Sequence, residues 1–374
     1  MRRIYLDYNA STPIAPEVAA VMRTAIDHAF GNPSSPHWAG VPAHQMVEKA
    51  RSQVANLLGC APEEVVFTSG GSEANNFALK GAFFASKRAR QHIITTQVEH
   101  PAIVAPCRFL ERLGAEITWL PVDGTGRVNP DDIRRAITAD TILISVMHAN
   151  NEVGTIQPIE GCAAVARAHG IPFHTDAAQS AGKIPTRVGD LGVDVLTIAG
   201  HKLYAPKGVG ALYVRNGVAL EPLIHGAGHE GGRRAGTESA VLAAALGEAC
   251  VLAADLAGME RVKSLRDRFW DALRERFGNR VVLNGHPEHR LPNTLSVSFV
   301  GQIGANVLAR LDGVAASTGS ACHAGRVELS PVLTAMGVPT EVGMGAVRFS
   351  LGRSTTADEI DDVVERLTRA IQNA

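Results

Sequence analysis

The chain has 374 residues, 45% of them hydrophobic and 20% charged, with a formal net charge of −1. A chain of this length buries a large core and divides into two domains, while near-neutral charge removes the electrostatic case for direct binding to nucleic acid or to an anionic membrane surface. The five cysteines are odd in number, scattered and form no CxxC pair, the pattern of reduced thiols in a cytoplasmic protein and not of a disulfide framework or a zinc site.

From the N-terminus, MRRIYLDYNASTP carries two arginines but no apolar stretch before Asp7, so no secretory signal is expected. The runs EVVFT (64–68), HIITT (92–96), ITWLPV (117–122), TILISVM (141–147), IPFHT (171–175), VDVLTIA (193–199) and GALYV (210–214) predict strands. Between them, segments such as PAIVAPCRFLERLG (101–114) and PIEGCAAVARAHG (158–170) carry helical apolar spacing. The apolar run 241–258 is broken by Glu248 and Asp255, which favours a packed helix over a membrane span. After about residue 255 the order changes to long helices and a few strands, ending in the amphipathic ADEIDDVVERLTRAIQN (357–373). The alternation is that of an α/β protein with a mostly parallel sheet covered by helices. It predicts a large domain over 13–254 and a small one built from 1–12 and 255–374.

Three segments carry chemistry. Lys202 lies in AGHKLYAPKG (199–208), Asp176 in HTDAAQSAGK (174–183) and Cys322 in STGSACHAG (317–325). Taken singly, these are a surface lysine, a helix cap and a packed thiol. Taken in order, they supply what a pyridoxal phosphate enzyme needs, an amine for a Schiff base and a carboxylate to keep the pyridine nitrogen protonated. The thiol on a glycine-containing loop adds a nucleophile, which points to chemistry on a sulfur-containing amino acid. SGGSEANN (69–76) follows a predicted strand and opens a helix, so the N–H groups of Gly71 and Ser72 and the Ser72 hydroxyl are placed to cradle a phosphate.

These segments stand in one ordered series with YLDYNASTP (5–13), FTSGGSEANN (67–76), VEHPAI (98–103), HANNEVGTIQPI (148–159), GHKLYAPKGVGALYV (200–214), HEGGRRAGTES (229–239), LPNTLSVSF (291–299) and VRFSLGR (347–353). In that order, nearly end to end, the chain resembles the cysteine desulfurases of the NifS/IscS type, in the class V aminotransferase group of fold-type I pyridoxal phosphate enzymes. The resemblance implies a large cofactor domain with a mixed, mostly parallel sheet and a small α+β domain carrying the cysteine loop. It implies conversion of L-cysteine to L-alanine, with sulfur left on Cys322 as a persulfide for an acceptor protein.

The roles it implies fall on particular residues. Lys202 holds the cofactor and moves the substrate α-proton; Asp176 pairs with the pyridine nitrogen; Gln179 hydrogen-bonds the ring hydroxyl. His100 stacks on the ring; a metal-ligand reading is discounted because no second ligand stands at the required spacing, and no metal is expected. Asn151 contacts ring or substrate, with Asn150 as the alternative. His201 contacts the phosphate, and Thr237 reaches it from the other subunit, so the active form is expected to be a homodimer. Arg348 holds the substrate carboxylate, with Arg353 as the competing clamp. His323 either favours the Cys322 thiolate or is merely exposed, and both readings stay open. One departure is Ala199, where many relatives have a small hydroxyl residue, which places cofactor affinity in question. Alternatives to desulfuration are a selenocysteine lyase, a pure aminotransferase, and a sulfur-carrier or scaffold protein without turnover. The sequence does not separate iron–sulfur assembly, tRNA thiolation and DNA phosphorothioation as destinations of the sulfur.

Overall fold

The computed structural model describes residues 2–318, 320–323 and 326–372, and of 320–323, 326 and 327 the backbone alone. After β1 (Ile4–Tyr5), the chain builds a seven-stranded sheet from β2 (Val65–Thr68), β3 (His92–Thr96), β4 (Glu116–Leu120), β5 (Thr141–Ser145), β6 (Phe173–Asp176), β7 (Val195–Ala199) and β8 (Gly210–Val214). The strand order is β2-β8-β7-β6-β5-β3-β4. Strands β3 to β7 pair in parallel, and β8 is antiparallel to both β7 and β2. This is the mixed, mostly parallel sheet the sequence predicts.

Strands β3, β5, β6 and β7 are buried along their whole length, which is why they read as continuous apolar or β-branched runs and not as alternating ones. Their polar members are paired within the sheet. His174 lies between the hydroxyls of Ser145 at 2.8 Å and Thr197 at 3.1 Å, and burial pushes its pKa down to about 3, so it is a neutral core residue. Five of the strands, β2, β4, β5, β6 and β7, are shorter than the predicted runs, two of them for a simple reason. Pro172 and Pro121 lack an N–H for the ladder, so β6 begins after the first and β4 stops before the second.

Four helices frame the site or its supports: α1 (Pro16–His28), α2 (Gly40–Leu58), α3 (Gly71–Ala85) and α4 (Pro101–Glu111). The apolar run beyond residue 240 forms the helix Ala240–Ala254, which is mostly buried and packs on α2. At Gly247 a Cβ would come 2.7 Å from the Ala50 Cα, so glycine permits this approach. Among the described residues no single helix is long and apolar enough to cross a membrane.

Beyond residue 255 lie β9 (Val281–Leu283), β10 (Thr294–Phe299), β11 (Val314–Ala315), β12 (Ser317–Thr318), β13 (Ser320–His323), β14 (Arg326–Leu329) and β15 (Ala346–Ser350). An antiparallel sheet of order β12-β15-β10-β9 packs its own core, with edge-to-face contacts between Phe269 and Phe349 at 5.0 Å and between Phe277 and Phe299 at 5.5 Å. Ile360, Val363 and Leu367 of the terminal helix complete it. Ile4 and Leu6 belong to the same core, and β1 pairs with β11. The N-terminal segment is thereby anchored at one end before residues 7–12 run toward the large sheet. β13 and β14 form a hairpin whose backbone register sets Cys322 opposite Val327.

One buried ion pair ties α2 to β2 and to the 229–239 segment. Arg51 Nη1 and Nη2 donate to Glu230 Oε2 and Oε1 at 2.7 and 3.1 Å, and the Phe67 N–H donates to the same carboxylate at 2.9 Å. Glu230 takes a positive φ of 50°, a strained value for a residue with a Cβ. Removing Glu230 leaves the buried Arg51 guanidinium with only the partly exposed Glu48 carboxylate, at 3.0 Å, as counter-charge, and breaking a buried pair of this kind costs about 3–5 kcal/mol. Glu230→Ala is therefore expected to lower stability by that amount in denaturant unfolding, and a loss below about 1 kcal/mol would show that the pair is dispensable.

Candidate active site

The C-terminal ends of the parallel strands and the N-terminus of α3 enclose a cavity of about 560 Å³, the position at which open α/β sheets bind ligands. Of the residues singled out from the sequence, Gly71, Ser72, His100, Asn151, Asp176, Gln179, His201, Lys202 and Arg348 line it. Thr237 is exposed in an adjoining cavity of about 130 Å³ that shares Ser69 and Gly208 with the main one. The side chains of Cys322 and His323 lie outside the described residues.

Asp176 ends β6, and its carboxylate is fixed from both sides: Asn75 Nδ2 donates to Oδ2 at 2.6 Å and the Ala178 N–H to Oδ1 at 2.9 Å. Lys202 sits in the short turn that follows β7. A Cβ at Gly200 would lie 2.8 Å from the Val209 carbonyl oxygen, so the turn needs glycine there. Thr12 clamps this turn, its hydroxyl donating to the His201 carbonyl at 3.0 Å and accepting from the Tyr204 N–H at 2.8 Å. The Lys202 amine donates to the carbonyl oxygens of Asn9 and, at 2.7 Å, Ala10. Burial first, and then the Arg348 charge, push its pKa down to about 8, against the opposing pull of Asp7 and Asp176.

His100 is the N-cap of α4, and its Nδ1 accepts from the Ala102 N–H at 3.0 Å. That bond leaves the ring proton on Nε2. Although His100 opens to solvent through the pocket, loss of hydration on its protein side lowers its pKa, with Asp176 opposing and Lys202 adding, so the ring is held neutral. Its neighbour Glu99 is buried and ties the end of β3 to the end of β5, accepting from the Thr96 hydroxyl at 2.8 Å and the Met147 N–H at 2.9 Å. Burial raises the Glu99 pKa to about 8.

The opposite end of the cavity is built to receive an anion. Gly70 has φ 148° and caps α3 without any side-chain acceptor, leaving first-turn N–H groups for a ligand. Gly210 lies so close that a Cβ on it would come 2.8 Å from the Gly70 Cα. Ser72, His201 and Lys207 line the same cavity. Burial, then Lys202, Lys207 and His100, push the His201 pKa to about 4, so it offers a neutral imidazole. Ala199 lines the cavity with its methyl, close enough that a Cβ on Gly71 would meet it at 3.2 Å.

Arg348 stands on β15. Its Nη2 donates to Asp7 Oδ1 at 2.7 Å and its Nη1 to the Asn151 carbonyl at 2.8 Å, while Nε is buried without a partner. Arg353, the competing clamp, stacks over Tyr204 at 5.2 Å and donates to the Leu252 carbonyl at 2.8 Å, away from the cavity. Asn150 is likewise committed elsewhere: its Oδ1 accepts from the Glu152 and Val153 N–H groups and its Nδ2 donates to the Val98 carbonyl. Asn151 is the asparagine that faces the cavity.

The donor set fits pyridoxal phosphate. Helix N–H groups, a hydroxyl and Lys207 suit the phosphate, the fixed carboxylate of Asp176 suits a protonated ring nitrogen, and Lys202 provides the amine. No cluster of His, Cys, Asp or Glu among the described residues could hold a metal ion. Sequence reasoning passed over Asp7, Asn9, Thr12, Asn75 and Glu99. YLDYNASTP and SEANN contain four of them, but nothing in their spacing announces a contact with Lys202, Arg348 or Asp176.

The comparisons with known proteins agree with this geometry. The chain is 47% identical to the cysteine desulfurase IscS of Dictyoglomus turgidum, over 99% of this chain and 95% of that one. It is 45% identical to cysteine desulfurase 2 of Trichormus variabilis, over 100% and 94% of the two chains. Among solved structures, a NifS-like protein superposes with a TM-score of 0.93 at 35% identity, covering all of both chains. SspA in complex with cysteine superposes at 0.84 with 37% identity, over 94% of this chain and 100% of that one. Residues 4–363 match the class-V aminotransferase family, and the chain belongs to it.

Proposed function

We propose that this chain is a pyridoxal phosphate-dependent cysteine desulfurase, converting L-cysteine to L-alanine and passing the sulfur to Cys322. The observation that carries the reading is the convergence of Lys202, Asp176 and Arg348 on one cavity with an anion-receiving helix end. The bound cofactor supplies an electron sink for negative charge developing at the substrate α-carbon. Asp176, held by Asn75 and the Ala178 N–H, favours a protonated ring nitrogen and so strengthens that sink. Arg348 takes the substrate carboxylate with N–H groups not used by Asp7 and the Asn151 carbonyl. Lys202, whose amine titrates near 8 and well below the ordinary lysine value, takes the α-proton and returns it.

Cys322 acts as a thiolate on the substrate sulfur. A sulfur–sulfur bond forms as the carbon–sulfur bond breaks, the bonding pair passes to carbon, and a proton completes the methyl group of alanine. The small domain, from 1–12 and 255–374, carries the hairpin that holds Cys322. We place the enzyme in the cytoplasm, in keeping with the free thiols of Cys60, Cys107, Cys162 and Cys250. Its active form is a homodimer in which Thr237 completes the partner's phosphate site. Trp38, 82% exposed, and Phe30, 73% exposed, stack edge to face at 6.2 Å and offer apolar surface for such a contact. The sulfur passes to an acceptor protein.

Lys202→Ala is expected to yield folded protein that forms no alanine from cysteine and loses the cofactor on desalting; retained turnover would sink the assignment of the amine. In wild type stripped of cofactor, the rate of pyridoxal phosphate capture should rise with pH, because the free amine is the reacting form. Its midpoint should fall near 8 and not at the ordinary lysine value of 10.5, as read by stopped-flow absorbance. Cys322→Ser should keep the cofactor and bind cysteine yet release no alanine in a chromatographic assay. Alanine at the wild-type rate would mean that another group accepts the sulfur.

A further inference from the structure

Lys183 does not line the main cavity, but it touches the site at one remove. It is only 8% exposed, and among the described residues no carboxylate pairs with it. Its amine donates to Gln179 Oε1 at 2.9 Å. Gln179 Nε2 in turn donates at 3.0 Å to the Asn9 carbonyl oxygen, the same atom that receives the Lys202 amine. A continuous hydrogen-bonded chain thus runs from Lys183 through Gln179 and Asn9 to Lys202.

The orientation of an amide such as Gln179 is set by its partners. Lys183 donates to Oε1 and the Asn9 carbonyl only accepts, so the two ends favour the same orientation. With Oε1 directed to Lys183, the N–H that Asn9 leaves unused is what Gln179 has to offer a ligand in the cavity it lines. Stability alone gives no reason for a lysine at 183. A buried amine without a counter-ion loses hydration that its single neutral partner does not replace, and an apolar side chain of equal length would serve the fold better. Burial, with Lys202 and Arg348 nearby, accordingly lowers its pKa to about 7.

We propose that Lys183 is a positioning residue that locks the Gln179 amide with its nitrogen toward Asn9, so that Gln179 meets the cofactor as a hydrogen-bond donor. The proposal rests on the reading of the cavity as a pyridoxal phosphate site. A donor is the partner required by an ionised ring oxygen, and charge-assisted bonds of this kind are the stronger ones. Without Lys183 the Asn9 carbonyl alone holds the amide, so Gln179 turns more readily to present Oε1, which would repel that oxygen.

The test is a double-mutant cycle on the full-length protein, with Lys183→Met, Gln179→Ala and the pair, each stripped of cofactor and titrated with pyridoxal 5′-phosphate by absorbance. Lys183→Met is expected to weaken binding on the order of fivefold to tenfold. Its thermal midpoint should be no lower than that of wild type, and in the Gln179→Ala background it should have no further effect. A merely structural lysine would lower the thermal midpoint and add its effect on affinity to that of Gln179→Ala. Unchanged affinity in Lys183→Met, or additive losses, would overturn the proposal. Should Lys183→Met fail to fold, Lys183→Leu is carried through the same cycle, and failure of both to fold assigns Lys183 to the fold and overturns the proposal. A wild-type protein that does not bind the cofactor would instead overturn the reading of the cavity.

Discussion

Lys202 and Arg348 are two cations brought into one half-buried cavity, and much of the surrounding structure answers the repulsion between them. Asp7 faces Arg348 at 2.7 Å, Asp176 stands at the end of β6, and the carbonyl oxygens of Asn9 and Ala10 receive the lysine amine. The balance is deliberately incomplete in its effect. Burial and Arg348 together outweigh the two carboxylates and leave Lys202 well below the ordinary lysine value, so that the amine is available as a nucleophile and base near neutral pH. A fully paired lysine would be an inert cation.

That balance depends on bringing together segments far apart in the chain. Residues 7–12 are pinned at one end by Leu6 in the core of the smaller sheet and at the other by Thr12 on the Lys202 turn. Between these anchors they touch Arg348, Asn293, Gln179 and Lys202. The N-terminal segment is therefore a strut between the two sheets as well as part of the site. A shift in how the sheets meet would move Asp7 and the Asn9 carbonyl together, changing the environment of both cations at once.

The strands of the large sheet are legible as apolar runs closed by turns that carry polar residues, and Lys202 and Asp176 stand out as chemistry-bearing types in such turns, whereas Gln179 and His100 are singled out only through the resemblance. The resemblance favours Arg348 over Arg353, and the structure adds the physical contrast: the first lies within a paired strand and lines the cavity, whereas the second lies past the strand end and turns onto Tyr204. Asp7 and Asn9 were not legible, since their partners lie some hundreds of residues away and Asn9 acts largely through a backbone carbonyl, which leaves no mark on side-chain chemistry. Asn150 and Asn151 illustrate the same limit. Adjacent and identical in type, they differ only in that one amide is consumed by its own turn.

Ala199 shows how a departure at one position is read against its surroundings. A hydroxyl there would add one neutral hydrogen bond at the anion-receiving end, a gain of about 1 kcal/mol. In its place the methyl packs beside Gly71 at the start of α3, while the uncapped helix N-terminus and Lys207 remain on the cavity wall. Helix N–H groups and a cation bind a phosphate through charge-assisted bonds, each stronger than a bond to a neutral hydroxyl. The larger contributors are thus retained, and loss of the hydroxyl trims affinity without removing the means of holding the phosphate. His201, kept neutral by burial among Lys202, Lys207 and His100, adds hydrogen-bonding capacity there without adding a third cation beside the amine whose low pKa the site maintains.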